Sequence, residues 1–169
     1  MANAVPLAIQ GVRMTNEVTI PDVAFQFSRL PTPIPASLRP LRRVALLLLL
    51  VAKCHGSGAS WKALQLLNWV VRDTRHATLL VTLWETGDIP DRPVVRFDPA
   101  LERAIDLAIG LNLVEVTSTR AIRLTTDGGA ALRGIANTPA FENERATLSA
   151  IPGKVTRADV ERAFEWRRI

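Results

Sequence analysis

The sequence predicts a mainly helical protein that carries one small β-hairpin. Several segments repeat apolar residues at helical spacing and begin at capping residues, as at Asp98 followed by Pro99. Two β-prone runs, residues 113–116 and 121–124, are separated by only four residues, which is typical of a hairpin. Hydrophobic residues make up 48% of the 169 positions, enough to bury a core.

We divide the chain into an extended N-terminal arm (residues 1–36), a central domain (37–136), and a linker with a C-terminal amphipathic helix (137–169). In the arm, Phe25 and Phe27 fall on the same side of an extended segment, and the proline-spaced sequence PTPIP follows them. Two interpretations stay open for these aromatic residues. The arm packs on its own domain, or it docks on a partner by strand addition or aromatic anchoring.

The first predicted helix runs from Ser37 or Pro40 to Cys54 and is stopped by the two glycines that follow. Its apolar run, residues 44–52, has nine residues, whereas a bilayer span needs roughly 20. We therefore expect a buried helix and no membrane segment.

The second helix is expected to begin after Ser60, which can cap its N-terminus. One narrow polar stripe follows its axis: Lys62, Gln65, Asn68 and Arg72. Trp69 borders this stripe, so we expect it to be partly exposed. The third helix covers residues 76–85 and ends at Gly87.

After a short predicted strand at residues 94–97, Asp98 and Pro99 open a helix that ends near Gly110. The hairpin follows, and a further helix starts near Asp127. The sequence from Asn137 to Lys154 is interpreted as a polar linker.

The last helix is predicted to open at Thr156, with Asp159 three residues later in the pattern of a capping box. Its apolar face includes Phe164, and Trp166 lies off that face beside two arginines. Trp and Arg are enriched at binding hot spots. Five aromatic residues are therefore candidate partner contacts: Phe25, Phe27, Trp69, Phe164 and Trp166.

Residues for catalysis or cofactor binding are not apparent in the sequence. Cys54, His55 and His76 do not have the spacing of a zinc site or of a nucleophilic pair. Phosphate-loop, dinucleotide-binding and G-x-S-x-G signatures are absent. We predict no catalytic, metal or cofactor residues, and hence a non-enzymatic protein. A single Cys and no secretory leader favour the cytoplasm.

The net charge of +5 is spread along the chain, with a mild positive bias toward the N-terminal end, and forms no concentrated basic stripe. The chain has 18 Arg and 3 Lys, which reflects either GC-rich coding or Arg-mediated recognition.

The order of three helices, a short strand, a helix, a β-hairpin and a helix beginning at LTTDGG resembles a winged helix-turn-helix domain. DNA-binding members insert the helix before the wing into the major groove. Here that helix presents Glu102, Arg103 and Asp106, and phosphates repel its two carboxylates. Its apolar residues also cover too much of its circumference for a surface helix, so the second side must be buried, either by the first three helices together with the N-terminal arm or by another chain. Arg120 and Arg123 on the wing are the candidate DNA contacts, and they carry no sequence readout.

The Leu-rich helix after RPLRR, the Trp-bearing second helix and the stretch GDIPDRPVVRFDPALERAIDLAIGLNLVE resemble one protein family across residues 30–136. This family is the winged-helix middle component of bacterial three-component, Lamassu-like defence systems. The resemblance implies an accessory subunit that binds an ABC/SMC-type ATPase near its head or coiled coil, with an effector nuclease as a further partner and DNA contacted through the complex. A winged-helix DNA-binding transcriptional regulator is the alternative.

Overall fold

Seven α-helices and three short antiparallel strands form the part of the chain that the computed structural model describes, which is residues 39–87, 95–136 and 138–165. The helices are α1 (Pro40–Lys53), α2 (Trp61–Val70), α3 (Thr74–Thr86), α4 (Pro99–Gly110), α5 (Thr126–Ala136), α6 (Glu142–Ser149) and α7 (Arg157–Glu165). The strands are β1 (Gly58–Ala59), β2 (Val114–Val116) and β3 (Ile122–Leu124).

Helix α1 is the centre of the core, as its run of leucines predicts. Leu47 and Leu50 are fully buried, and α1 packs against α2, α4 and α5. Burying a leucine side chain contributes about 1.5–3 kcal/mol, so this one helix is a major source of folding free energy. No helix in the described ranges has both the length and the apolar character needed to span a bilayer.

The predicted helix starts are confirmed by their capping bonds. Ser60 Oγ accepts the Ala63 N–H at 3.2 Å, and Asp98 Oδ1 accepts the Ala100 N–H at 3.0 Å. Helix α3 begins two residues earlier than predicted, because Asp73 rather than a later residue caps it, and it ends at Gly87 in the left-handed region (φ 77°). These caps satisfy N–H groups that the first helical turn leaves unpaired.

The predicted hairpin is confirmed, and the structure adds a third strand to it. Strand β3 lies between β1 and β2, with Val114 opposite Leu124 and Ala59 opposite Ile122. The sequence did not indicate β1. This strand has only two residues, and the first of them, Gly58, was interpreted as a residue that ends the preceding helix. The strand predicted at residues 94–97 is wrong for its described part, 95–97, which has no strand conformation.

A close approach of two backbones fixes α5 behind the hairpin. A Cβ on Gly128 would lie 1.9 Å from the carbonyl oxygen of Leu113, so only glycine fits there. Thr125 Oγ1 donates to the Asn112 carbonyl at 2.6 Å and accepts the Gly128 N–H at 3.0 Å. The sequence LTTDGG therefore joins α5 to the α4–β2 turn.

The segment predicted as a polar linker instead contains α6 and a 3₁₀ turn at Pro139–Phe141. Phe141, Leu148 and Ile151 are each no more than 6% exposed, and they pack on the core. Arg42 of α1 forms an ion pair with Glu144 at 2.6 Å. The interpretation failed because three large apolar residues in an otherwise polar stretch are too few to indicate a helical period.

The capping box before α7 is confirmed. Asp159 Oδ2 accepts from the Thr156 N–H at 2.9 Å, while Thr156 Oγ1 accepts the Asp159 N–H at 3.2 Å. Helix α7 lies against α2 and α3, where Trp84 Nε1 donates to the Asp159 carbonyl at 3.0 Å. The C-terminal helix is thus part of the core.

Candidate interaction surface

Asp98 links three helices at the N-terminus of α4. Its Oδ2 accepts hydrogen bonds from Arg43 of α1 at 2.8 Å and, at 2.6 Å, from Arg72 in the turn that follows α2. Gln65 of α2 accepts the Asp98 N–H at 2.9 Å. The sequence identified Asp98 as a helix cap only, because no local pattern indicates which distant side chains converge on a carboxylate.

The surroundings of Asp98 favour the charged form of its carboxyl group. Burial raises the pKa of its carboxyl, but the hydrogen bond from Arg43, the N–H of Ala100 and the charges of Arg43 and Arg72 outweigh burial, so the pKa lies below its ordinary value.

The polar stripe predicted on α2 is only partly a solvated face. Gln65 is fully buried and Asn68 is 4% exposed, and both lie against Asp98. The expectation that Trp69 is partly exposed is also wrong: it is 8% exposed and stacks on His76 with ring centroids 3.8 Å apart. Trp69 is therefore a core residue and does not offer a contact surface.

Helix α4 buries one side on α1 and leaves the other open. Leu101, Ala104, Ile105 and Ala108 are buried, so most of the apolar circumference is covered within the described chain. The predicted polar stripe of Glu102, Arg103 and Asp106 is exposed, as expected.

Apolar residues also remain exposed where α4 passes into β2. Ile109 is 40%, Leu111 46% and Val116 54% exposed. Ile109 follows Ile105 by one helical turn, and Val116 follows Val114 by one strand period, so each extends a buried face beyond the edge of the core. These three residues, together with the carboxylates of Glu102 and Asp106 on α4, are called the α4–β2 surface below.

A shallow groove of about 170 Å³ lies between the first turn of α1 and residues 100–107 of α4. The residues that line it are Pro40, Arg43, Ala100, Arg103, Ala104 and Leu107. Arg103 and Leu107 are four residues apart and so share the groove side of α4, whereas Glu102 and Asp106 share the adjacent side.

The wing arginines lie on the hairpin as predicted. Arg123 is exposed on the outer face of β3, and Arg120 is exposed in the turn with a positive φ of 57°. Arg123 stands directly opposite Glu115 of β2, so the charge of one carboxylate offsets part of the positive field of the wing.

The remaining aromatic candidates divide by location. Phe164 is half-buried, with its ring 6.2 Å from that of Phe97 and the Lys62 Nζ 6.0 Å from its centroid. Phe25, Phe27 and Trp166 lie outside the described residues.

Nothing in the described ranges assembles the residues of a metal site, since no group of three His, Cys, Asp or Glu side chains lies close enough together. Cys54 is 3% exposed, and burial raises the pKa of its thiol to about 11. A buried neutral thiol of this kind is a poor nucleophile.

Comparison of the chain with protein-family models, with curated proteins and with solved structures finds no match.

Proposed function

We propose that this chain is a non-enzymatic winged-helix adaptor subunit that binds an ABC- or SMC-type ATPase in a cytoplasmic bacterial defence complex. The fold assignment is supported by the strand order β1-β3-β2, with β1 between α1 and α2 and the hairpin directly after α4. In this assignment α4 is the recognition helix, the hairpin is the wing, and α3 is an additional helix.

The observation that carries the adaptor role is the chemistry of the α4–β2 surface. Three of the five large hydrophobic residues that stay exposed in the described ranges, Ile109, Leu111 and Val116, lie within this short stretch. Contiguous exposed apolar residues with a polar rim mark protein interfaces more often than nucleic-acid interfaces. The neighbouring carboxylates disfavour phosphate.

The test is reconstitution with the purified ATPase encoded beside the gene of this chain. We expect a stable complex in size-exclusion chromatography with light scattering. The double variant Ile109→Asp and Val116→Asp should weaken it at least about ten-fold, as expected for loss of two central apolar contacts. The matched control, Ala146→Asp on the exposed side of α6, should bind as the unaltered chain does. Equal binding by both variants, or no complex at all, would count against the adaptor role.

A DNA-binding regulator is the second candidate, and the exposed Arg120 and Arg123 on the wing favour it. Binding to a DNA duplex that falls steeply with salt, and that is lost when both arginines are replaced by Glu, would support this role instead. We expect no such binding, because Glu115 lies opposite Arg123 on the hairpin and the helix before it exposes the carboxylates of Glu102 and Asp106.

A further inference from the structure

The groove between α1 and α4 has the size of one side chain. Its volume of about 170 Å³ is close to that of cavities that admit a benzene ring. Four of its lining residues are apolar: Pro40, Ala100, Ala104 and Leu107. Such a lining favours an aromatic or leucine side chain over a phosphate group, because a buried phosphate needs hydrogen-bond donors on several sides.

The charge around the groove is positive. Arg103 at its rim is exposed and makes no ion pair with the described residues. The first turn of α1 contains no acidic residue, and its N-cap residue, Arg39, makes no capping hydrogen bond through its side chain. The positive end of the α1 dipole therefore adds to the charge of Arg103 at the groove.

We propose that this groove binds one apolar side chain of the protein partner, presented on an acidic segment whose carboxylate pairs with Arg103. The proposal rests on the adaptor function and adds a second, chemically distinct contact to the α4–β2 surface. Glu102 and Asp106 lie on the adjacent side of α4 and do not line the groove.

The experiment uses small probes, so it does not depend on the identity of the partner. The probe is 4-phenylbutanoate, which joins a phenyl ring to a carboxylate, and the charge control is 4-phenylbutylamine. Both are titrated into the full-length, ¹⁵N-labelled chain. We expect saturable amide shifts at residues 41–43 and 100–107 with a dissociation constant in the low millimolar range, which is usual for a fragment of this size. The amine should give no saturable shifts there.

Two variants with the same charge change separate groove binding from general electrostatics. Arg103→Glu should weaken phenylbutanoate binding at least about five-fold, whereas Arg123→Glu on the wing should leave it unchanged. Equal binding of the amine, shifts spread over the surface, or an unchanged affinity in Arg103→Glu would overturn the proposal. A DNA duplex that shifts the same amides and displaces the probe would also overturn it, because the groove would then be a phosphate site.

The outcome is separable from that of the adaptor function. If the ATPase complex forms and only Ile109→Asp with Val116→Asp disrupts it, while phenylbutanoate does not bind, the groove proposal fails and the adaptor function stands. If phenylbutanoate binds as expected and the ATPase does not, the adaptor function fails and the groove remains a site for an acidic apolar ligand.

Discussion

Replacing Asp98 by Asn tests whether one carboxylate holds α1, α2 and α4 together. The Asn side chain keeps an acceptor for the Ala100 N–H but loses the charge that Arg43 and Arg72 share. The Arg43 side chain is 24% exposed, so its charge-assisted hydrogen bond should contribute about 1.5–2 kcal/mol. The Arg72 side chain is 49% exposed, and its pair should contribute about 0.5–1 kcal/mol.

Urea unfolding at pH 7 should therefore show a loss of about 2–3 kcal/mol in the free energy of unfolding for Asp98→Asn. Asp98→Ala should lose about 1 kcal/mol more, because it also removes the N-cap. Asp106→Asn, on the exposed side of the same helix, is the matched control and should change stability by less than about 0.5 kcal/mol. A loss below about 0.5 kcal/mol for Asp98→Asn would refute the linking role.

The pH dependence follows from the same contacts. The folded-state pKa of Asp98 is lowered, so the unfolded chain binds the proton first as pH falls. The stability that this carboxylate contributes is present above the unfolded pKa of about 3.9 and is lost as pH falls through the lower folded pKa. The unaltered chain should therefore lose stability across this acid window more steeply than Asp98→Asn.

Three further predictions concern the core. Gly128→Ala should lower the free energy of unfolding by about 1–3 kcal/mol, because the added Cβ clashes with the Leu113 carbonyl. Gly134→Ala lies in the same helix and has open space around it, so it should raise the free energy of unfolding by about 0.5–1 kcal/mol. Urea titrations of both variants test these two values. Ile151→Ala should lower the free energy of unfolding by about 2–5 kcal/mol, and the variant should still unfold in a single thermal transition. A separate transition at lower temperature would show that the C-terminal segment folds independently. Cys54 should react with a thiol reagent at pH 8 only at the rate of unfolding; fast labelling of the native chain would contradict its burial.

The sequence patterns correctly predicted those parts of the fold that depend on hydrogen bonds between residues close together in sequence. Ser60 and Asp98 start helices because each side chain caps N–H groups within three residues of itself. The hairpin was predicted because its two strands are close in sequence. The pair Thr156 and Asp159 was also recognised, since a capping box has a fixed spacing.

The wrong predictions have a common physical cause, which is that contacts between residues far apart in sequence determine burial and strand pairing. The sequence pattern predicts that Gln65 and Asn68 face solvent, but both form hydrogen bonds with Asp98, which is about 30 positions away in sequence. Strand β1 exists only because β3 lies beside it. The exposed residues of the α4–β2 surface were predicted only in part. The sequence indicated the exposed polar stripe on α4, but it did not indicate that Val116 is exposed. Val114 is buried and Val116 is exposed because the core ends between them, and the sequence pattern does not show where the core ends.

Hydrogen exchange at residues 99–116 tests the central claim most directly. The full chain is measured alone, with the ATPase encoded beside its gene, and with a DNA duplex at low and at physiological salt. We predict protection at the end of α4 and along β2 with the ATPase, and none with the duplex. Protection of the same residues by DNA, weakening steeply with salt, with no effect of the ATPase, would contradict the adaptor account.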